Sequence, residues 1–239
     1  MSFVSLLMAS MTIVSISPMI VNFSSSGEIT LKAFSYYKSN DGSGHSWIAI
    51  INDSNDGYNI GPYYMEAGET VTVGLWGNLD HAGVWYNIES HVIDSLGFFD
   101  GRVSVSKSIT REQMGTVNSY VSSHDYWNIS YNCSVFVKDI WNLVSDDKLN
   151  CGWMVNLPAW LCDSIKGKSE YETNETIATN DKIGYAENNT FTQYVPDNFG
   201  GSSSSSSAVN PSLMATSFPQ RDIDELMNMS MSLGYSFDR

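Results

Sequence analysis

Apolar and polar residues alternate along the first half of the chain. Between residues 28 and 109, six segments rich in Val, Ile, Tyr and Trp show the two-residue period of half-buried strands. Clusters of Gly, Asn and Asp separate them, and such short links favour antiparallel pairing. The segments are EITLKAFSYY, HSWIAII, YNIGPYYM, ETVTVGLWG, GVWYNIES and RVSVSKSI. The pattern predicts an antiparallel sheet.

The apolar period changes to that of helices after the sixth strand. Thr110 and Gln113 have the spacing of a capping box at a helix start. Pro158 suits the first turn of a last helix, which Gly167 ends. Between these two helices, the apolar residues after Asn132 recur at helical spacing, at Phe136, Ile140, Leu143 and Val144. Strands followed by helices predict an α+β fold.

The composition changes after Gly167, and this change divides the chain. Residues 168–239 show few apolar periods and contain the run GGSSSSSS; from residue 169 they hold 3 Lys and Arg against 10 Asp and Glu. We predict that residues 168–239 form an acidic, Ser-rich and largely disordered tail. The folded catalytic domain is then predicted at residues 28–167.

The overall charge restricts the classes of partner. The 239 residues are 42% hydrophobic, enough for a sizeable core, and carry a net charge of −14. Phosphate binding needs clustered Lys and Arg, so we expect no nucleic acid as partner. An acidic surface suits anionic membranes poorly, and no apolar run reaches the 18 residues of a membrane span, so no stable membrane insertion is predicted. The oligomeric state is left open.

The N-terminal segment leaves the location of the protein open. Residues 1–27 begin with an apolar, Ser-containing stretch, but the first basic residue in the chain is Lys32. A secretory signal usually starts with a basic region. The segment is therefore interpreted either as a degenerate export signal or as a floppy terminus. The first alternative predicts a secreted or cell-surface protein, and the second a cytoplasmic one.

Three cysteines suggest a candidate nucleophile. Cys151 and Cys162 are close enough in sequence to form a disulfide in an oxidising compartment, and Cys133 would then be the remaining thiol. Cys133 lies at the predicted start of a helix, where the helix dipole and unpaired N–H groups stabilise negative charge. Both effects favour a thiolate, and the same N–H groups suit an oxyanion. Cys133 is thus either a nucleophile or a small packing residue.

A cysteine nucleophile needs a base and a group that orients the base. His45 follows Gly44 and begins an apolar strand, which would aim its imidazole rigidly. Glu89 is a carboxylate on an otherwise apolar segment, and buried carboxylates usually have a partner. Its alternative role is a charge that faces water at a sheet edge. Weaker candidates for the third residue are Glu66, Asn59 and Asn52.

Other kinds of site find no support in the sequence. The chain has no zinc-ligand spacing, no phosphate-binding glycine loop and no serine nucleophile elbow. We therefore predict neither a metal nor a cofactor.

The order of the two candidate residues is similar to that of a known superfamily. GHSWIAI on an early strand precedes YNCSVFVKDIWN on a later helix. This order resembles the circularly permuted papain-like cysteine amidases and peptidases, a group that includes cell-wall hydrolases and lecithin–retinol acyltransferase-like enzymes. VGLWG and GVWYNIES look like a secreted bacterial branch of it. The resemblance covers about residues 28 to 167.

The resemblance implies a papain-like fold and roles for two residues. Cys133 matches the family nucleophile and His45 the family base, whereas Glu89 is inferred from this sequence alone. The implied activity is hydrolysis of an amide bond, in a peptide or peptidoglycan-type substrate, through an acyl-enzyme. Asn132 and Tyr131 are candidates to stabilise the oxyanion. Trp47, like Trp85 and Trp127, either lines a substrate groove or packs in the core.

Two alternative functions stay open at this point. The first is an acyltransferase or lipase on the same Cys–His pair, which a groove for an acyl chain would favour. The second is a catalytically inactive binding or surface module, which a buried and unreactive Cys133 would favour.

Overall fold

The structure is a computed structural model that describes residues 28–39, 43–152 and 156–194. The predicted export signal at residues 1–27 and residues 195–239 of the predicted tail lie outside the described residues. The strands are β1 (Ile29–Lys38), β2 (Ser43–Asn52), β3 (Tyr58–Ile60), β4 (Tyr63–Met65), β5 (Thr70–Trp76), β6 (Gly83–Tyr86), β7 (Val103–Ile109), β8 (Glu172–Thr173), β9 (Gly184–Glu187) and β10 (Thr190–Gln193). The helices are α1 (Ile88–Leu96), α2 (Arg111–Ser123), α3 (Cys133–Val144) and α4 (Pro158–Lys166).

The predicted α+β class with a large antiparallel sheet is confirmed. Eight strands form one sheet in the order β10-β9-β6-β5-β2-β1-β7-β8, and every neighbouring pair is antiparallel. The register pairs Trp47 of β2 with Gly74 of β5. Since the two strands run in opposite directions, the start of β2 and the end of β5 lie at the same end of the sheet.

Each face of the sheet carries its own apolar core, because alternate residues of a strand point to opposite faces. On β2, Ile48 and Ile50 belong to the cluster that contains the buried residues of α2, α3 and α4. Trp47 and Ala49 belong to a second cluster with residues of α1 and with Ile183. The sheet is therefore a central layer with helices on both faces.

The helix signals in the sequence correspond to real helix ends. Both hydrogen bonds of the predicted capping box are present: Thr110 Oγ1 accepts from the Gln113 N–H, and Gln113 Oε1 accepts from the Thr110 N–H. Pro158 opens α4 and Gly167 ends it.

The buried face of α3 was predicted less well, since Leu143 is 49% exposed, whereas Val137 and Trp141 are buried. The predicted stripe was about one residue out of phase at its end.

Two segments that were each predicted as one strand contain two elements in the structure. YNIGPYYM is a hairpin of β3 and β4, with Gly61 at φ 59° in the turn. GVWYNIES is strand only to Tyr86 and then becomes helix α1. Asn87 separates the two parts at φ 63°, a left-handed conformation that asparagine tolerates better than most residues.

The boundary predicted at residue 168 is too early. Strands β8, β9 and β10 lie between residues 172 and 193, and they add to both edges of the main sheet. The polar composition of this segment hid them, because edge strands need only one buried face or none. Within the described residues, the chain holds no helix of the length and apolarity that a membrane crossing requires.

Candidate active site

Cys133 is the first residue of α3, as the sequence predicts, and the preceding residue caps the helix. Asn132 Oδ1 accepts hydrogen bonds from the N–H groups of Ser134 and Val135, at 3.0 and 3.4 Å. No acidic residue lies in the first turn of α3, so no carboxylate there opposes the positive end of the helix dipole. The local sequence therefore places the Cys133 thiol where a negative charge is stabilised.

The side-chain amide of Asn132 is occupied by this structural role. Besides the cap, Asn132 Nδ2 donates to the backbone oxygens of Ile129, at 3.3 Å, and Asn156, at 2.9 Å. Asn132 thereby ties the start of α3 to the segments on either side. Its predicted contact with an oxyanion would cost these bonds and stays a prediction.

His45 lies at the start of β2 inside a box of aromatic rings. Its ring centroid is 3.9 Å from that of Trp76, 5.6 Å from Trp47 and 5.7 Å from Phe99. Gly44 makes room for this packing, because a Cβ there would approach Pro158 Cβ and the Tyr36 oxygen to 2.9 Å. The rings hold the imidazole in one orientation, which is what a positioned base requires.

The imidazole of His45 contacts both other predicted residues of the site. Its Nε2 is 2.9 Å from Glu89 Oε1. Its Nδ1 makes no hydrogen bond of standard geometry with a described residue. The Cys133 side chain nevertheless lies close enough to the ring to raise the pKa of the imidazole. Since Glu89 holds Nε2, Nδ1 is the nitrogen left for the thiol. The three predicted residues thus form a chain from thiol to imidazole to carboxylate.

The surroundings of His45 also change its pKa. Burial lowers the pKa of this imidazole, but the side-chain hydrogen bonds with Cys133 and Glu89, and the charges of both groups, outweigh burial. The net result is a pKa above the usual value of 6.5. The site therefore stabilises the imidazolium form.

Glu89 lies in the first turn of α1, not on a strand, and it is fully buried. Its carboxylate accepts hydrogen bonds from Trp76 Nε1 at 2.8 Å and Thr72 Oγ1 at 3.0 Å, in addition to its contact with His45. The positive end of α1 adds to the stabilisation of negative charge. The alternative of a water-facing charge at a sheet edge is wrong.

Asn87 fixes the start of α1, and therefore Glu89, against β5. Its backbone N–H donates to the Thr72 oxygen at 2.9 Å, and its Oδ1 accepts from the Thr72 N–H at 3.1 Å. Asn87 Nδ2 donates to the Lys182 oxygen at 3.0 Å. This two-way pairing anchors the helix that carries the carboxylate.

Sequence reasoning missed the face of β5 that completes the site. Thr72 and Trp76 bind Glu89, and Gly74 lies between them on the same face of the strand. A Cβ at Gly74 would lie 2.9 Å from His45 Nε2 and 3.0 Å from Glu89 Cδ. The signal was available in the segment TVTVGLW, where strand alternation puts Thr, Gly and Trp on one face.

The remaining candidates lie elsewhere or have other partners. The Tyr131 hydroxyl donates to that of Tyr120 at 2.9 Å, so this group is engaged away from the thiol–imidazole chain. Trp47 and Trp85 are fully buried in the core, and the ring of Trp47 stacks on Phe34 at 5.1 Å. For these two tryptophans, packing is therefore the observed role. The weaker candidates are not at the site either, since Glu66 and Asn59 are exposed and Asn52 donates to the backbone oxygens of Asp56 and Glu66.

All three cysteines are free and buried, so the disulfide considered for Cys151 and Cys162 is not formed. Burial is the main influence on both thiols. It raises the pKa of Cys151 to about 12 and the pKa of Cys162 to about 11. These two side chains are therefore unreactive thiols against which Cys133 can be compared.

The arrangement has the parts of a cysteine nucleophile, a general base and an orienting carboxylate. Comparison of the chain with known protein families, with curated proteins and with solved structures found no match. The chemistry of the site is therefore argued from its geometry.

The charge coupling at the site predicts how His45 titrates. In an NMR titration, we expect the imidazole midpoint of His45 above 6.5, and lower in Glu89→Gln than in the wild type. The amide keeps the shape of the carboxylate but removes the negative charge that favours the imidazolium. Cys133→Ser is expected to lower the midpoint as well, since the thiol also raises it. An unchanged midpoint in Glu89→Gln would contradict the coupling.

Proposed function

We propose that the protein is a cysteine hydrolase that cleaves an amide bond, in a peptide or peptidoglycan-type substrate, through Cys133, His45 and Glu89. The observation that carries the proposal is the buried chain of contacts from the Cys133 thiol to His45 and on to the Glu89 carboxylate. The three residues belong to three different elements, α3, β2 and α1, so the local sequence alone does not bring them together.

In the proposed reaction, His45 accepts the proton of the Cys133 thiol and becomes an imidazolium. The thiolate attacks the carbonyl carbon, and the positive end of α3 stabilises the oxyanion. His45 then gives its proton to the leaving amine as the carbon–nitrogen bond breaks. A water molecule, deprotonated by His45, attacks the resulting thioester and restores the free thiol.

The roles of the other groups follow from their contacts. Glu89 orients the imidazole and stabilises its positive charge, as a buried acidic partner of a catalytic histidine does. Trp76 and Thr72 hold the carboxylate by hydrogen bonds. They are positioning residues, because they act on the reaction through Glu89 and His45.

One observation favours a second candidate, the inactive binding module. Cys133, His45 and Glu89 each have 0% of their surface exposed. A buried thiol that never reacts is what this alternative predicts. The two candidates therefore differ in whether the Cys133 thiol ionises at low pH and reacts.

The test is the pH dependence of alkylation at each cysteine, measured by mass spectrometry with iodoacetamide. In the wild type, we expect the midpoint for Cys133 well below the value of about 8.5 for a free thiol. In His45→Ala, and in His45→Gln as a second variant, the midpoint should rise towards that value. Cys151 and Cys162 in the same molecules are the internal controls, and both should stay unreactive near neutral pH.

The midpoint, and not the absolute rate, decides this test, because burial slows alkylation of any thiol in the closed site. A Cys133 midpoint at or above about 8.5 in the folded wild type would overturn the proposal. The inactive binding module would then be the better account.

A further inference from the structure

One short segment outside the helices and strands packs against Cys133. The connector, defined as residues 124–131, joins the end of α2 to the capping residue of α3. Two of its side chains, Trp127 and Ile129, pack against Cys133 together with Leu157. Leu157 immediately precedes α4, which packs against the sheet, whereas Trp127 and Ile129 lie in a segment with no helix or strand of its own.

Trp127 is seated on a glycine at the end of β5. A Cβ at Gly77 would lie 2.6 Å from Trp127 Cε2 and 2.7 Å from its Cε3, so the indole lies directly on the Gly77 backbone. Gly77 follows Trp76, whose own indole binds Glu89. The Trp127 ring therefore covers the end of the sheet at which the thiol, imidazole and carboxylate meet.

A second set of contacts joins the connector to the hairpin of β5 and β6. Asp125 Oδ1 is 2.7 Å from His81 Nε2 and accepts a hydrogen bond from the Val84 N–H at 2.8 Å. The His81 ring stacks on Tyr185, with ring centroids 5.1 Å apart. Asp125 and Trp127 thus hold the connector at two neighbouring points through side chains.

The segment beyond Trp127 has a compact local structure. Asn128 Oδ1 accepts hydrogen bonds from the N–H groups of Ser130 and Tyr131, at 3.0 and 2.9 Å. These bonds are internal to the connector, so they persist when the segment moves as a unit. Opening breaks the contacts of Asp125 and Trp127 with the sheet side and those of Ile129 with its neighbours, including the hydrogen bond from Asn132 Nδ2 to the Ile129 oxygen.

We propose that the connector is a gate over Cys133, and that Trp127 must leave Gly77 before a substrate carbonyl can reach the thiol. The inference rests on the proposed function, since a closed and complete site is useful to an enzyme only when it opens. The Asp125 contacts with His81 and Val84 are the latch of this gate. Trp127 is thereby a residue that controls access to the reaction.

The test uses a glycine substitution that removes the seat of Trp127. Gly77 does not have a positive φ, so alanine suits its backbone, but the added methyl group occupies the position of the indole. In Gly77→Ala, we expect alkylation of Cys133 by iodoacetamide to become about tenfold faster or more, because the closed state is destabilised. Asp125→Ala, which removes the latch, should act in the same direction.

Gly115→Ala is the matched control, since nothing lies within 4 Å of a Cβ at this exposed position of α2. This variant should leave the alkylation rate of Cys133 unchanged. Cys151 and Cys162 report on global unfolding in each sample. Unchanged labelling of Cys133 in both gate variants would overturn the gate, and so would a parallel rise at all three cysteines.

The labelling results distinguish a failure of the gate proposal from a failure of the hydrolase proposal. If the gate variants speed labelling of Cys133 alone, the gate is supported, whatever the chemistry. If the pH midpoint in Gly77→Ala is also unaffected by His45→Ala, the gate stands and the hydrolase proposal fails. If the midpoint depends on His45 but the gate variants change nothing, the hydrolase proposal stands and the gate fails.

Discussion

Replacing Cys133 by alanine is expected to abolish hydrolysis, with a loss of activity on the order of 10⁴-fold or more. Alanine leaves no nucleophile, so neither the thiolate nor the acyl-enzyme can form. The fold should survive, because loss of one buried sulfur atom costs about 1 kcal/mol. The measurements are turnover of a panel of peptide and peptidoglycan-type amides, and thermal unfolding of the same sample.

The chain provides its own matched controls for this substitution. Cys151→Ala and Cys162→Ala also remove a buried free thiol, but from positions outside the contact chain of Cys133, His45 and Glu89. Both variants should keep wild-type activity after allowance for any loss of folded protein. Full activity in Cys133→Ala on a substrate that the wild type cleaves would exclude Cys133 as the nucleophile.

The same panel separates hydrolase from transferase chemistry. Each acyl group is presented both as an amide and as an ester, and the products are analysed with and without an added amine or alcohol acceptor. A hydrolase releases the free acid whether or not the acceptor is present. Transfer of the acyl group to the acceptor in preference to water would favour the acyltransferase alternative, with Cys133 still as the nucleophile.

The fold class could be predicted because local patterns and tertiary structure agree over most of residues 28–167. Five of the six alternating segments lie in strands or in a hairpin of the structure, and GVWYNIES does so up to Tyr86; the capping box, Pro158 and Gly167 mark helix ends. The errors occur where tertiary contacts override the local pattern. Helix α1 forms from a β-favouring sequence because Asn87 takes a left-handed conformation and pairs with Thr72.

The positions of Cys133 and His45 were predictable because each residue belongs to a strong local signal. Cys133 follows a capping asparagine at a helix start, and His45 follows a glycine at a strand start. Glu89 was found for a chemical reason, the need of a buried carboxylate for partners, although its secondary structure was wrong. The buried contact between Glu89 and His45 is therefore present although the predicted element was wrong.

The supporting residues were not predictable from local patterns alone. Trp76 and Thr72 act only because α1 brings Glu89 against β5, and that approach depends on the long-range contact with Asn87. The closed state of Cys133 is also a property of the assembled fold. It requires the connector, Gly77 and the latch at Asp125, which are distant in sequence.

Replacing Gly74 by alanine is expected to disrupt the site more than any other addition of one methyl group. The new Cβ would overlap the carboxylate oxygen of Glu89 and lie 2.9 Å from His45 Nε2. Glu89 would lose its hydrogen bonds while still buried, and a broken buried charge pair costs about 3–5 kcal/mol. We expect a fall of roughly 10 °C in melting temperature and a loss of activity of roughly 100-fold or more.

The matched control for the added methyl group is again Gly115→Ala, which should leave the activity unchanged and should not lower the melting temperature, because alanine favours a helix interior more than glycine does.

A second substitution tests whether the overlap with Glu89 is the cause of the instability of Gly74→Ala. Glu89→Asp shortens the acidic side chain by one methylene and withdraws the carboxylate from the place that the alanine methyl needs. Combined with Gly74→Ala, it should therefore restore part of the stability that Gly74→Ala alone removes, although Glu89→Asp alone is destabilising because its carboxylate no longer reaches His45 and Trp76. Such a coupling is measured as a double-mutant cycle in the free energy of unfolding. Strictly additive effects would mean that the methyl group acts elsewhere, and the close approach of β5 to the carboxylate would then not be what holds Glu89 against His45.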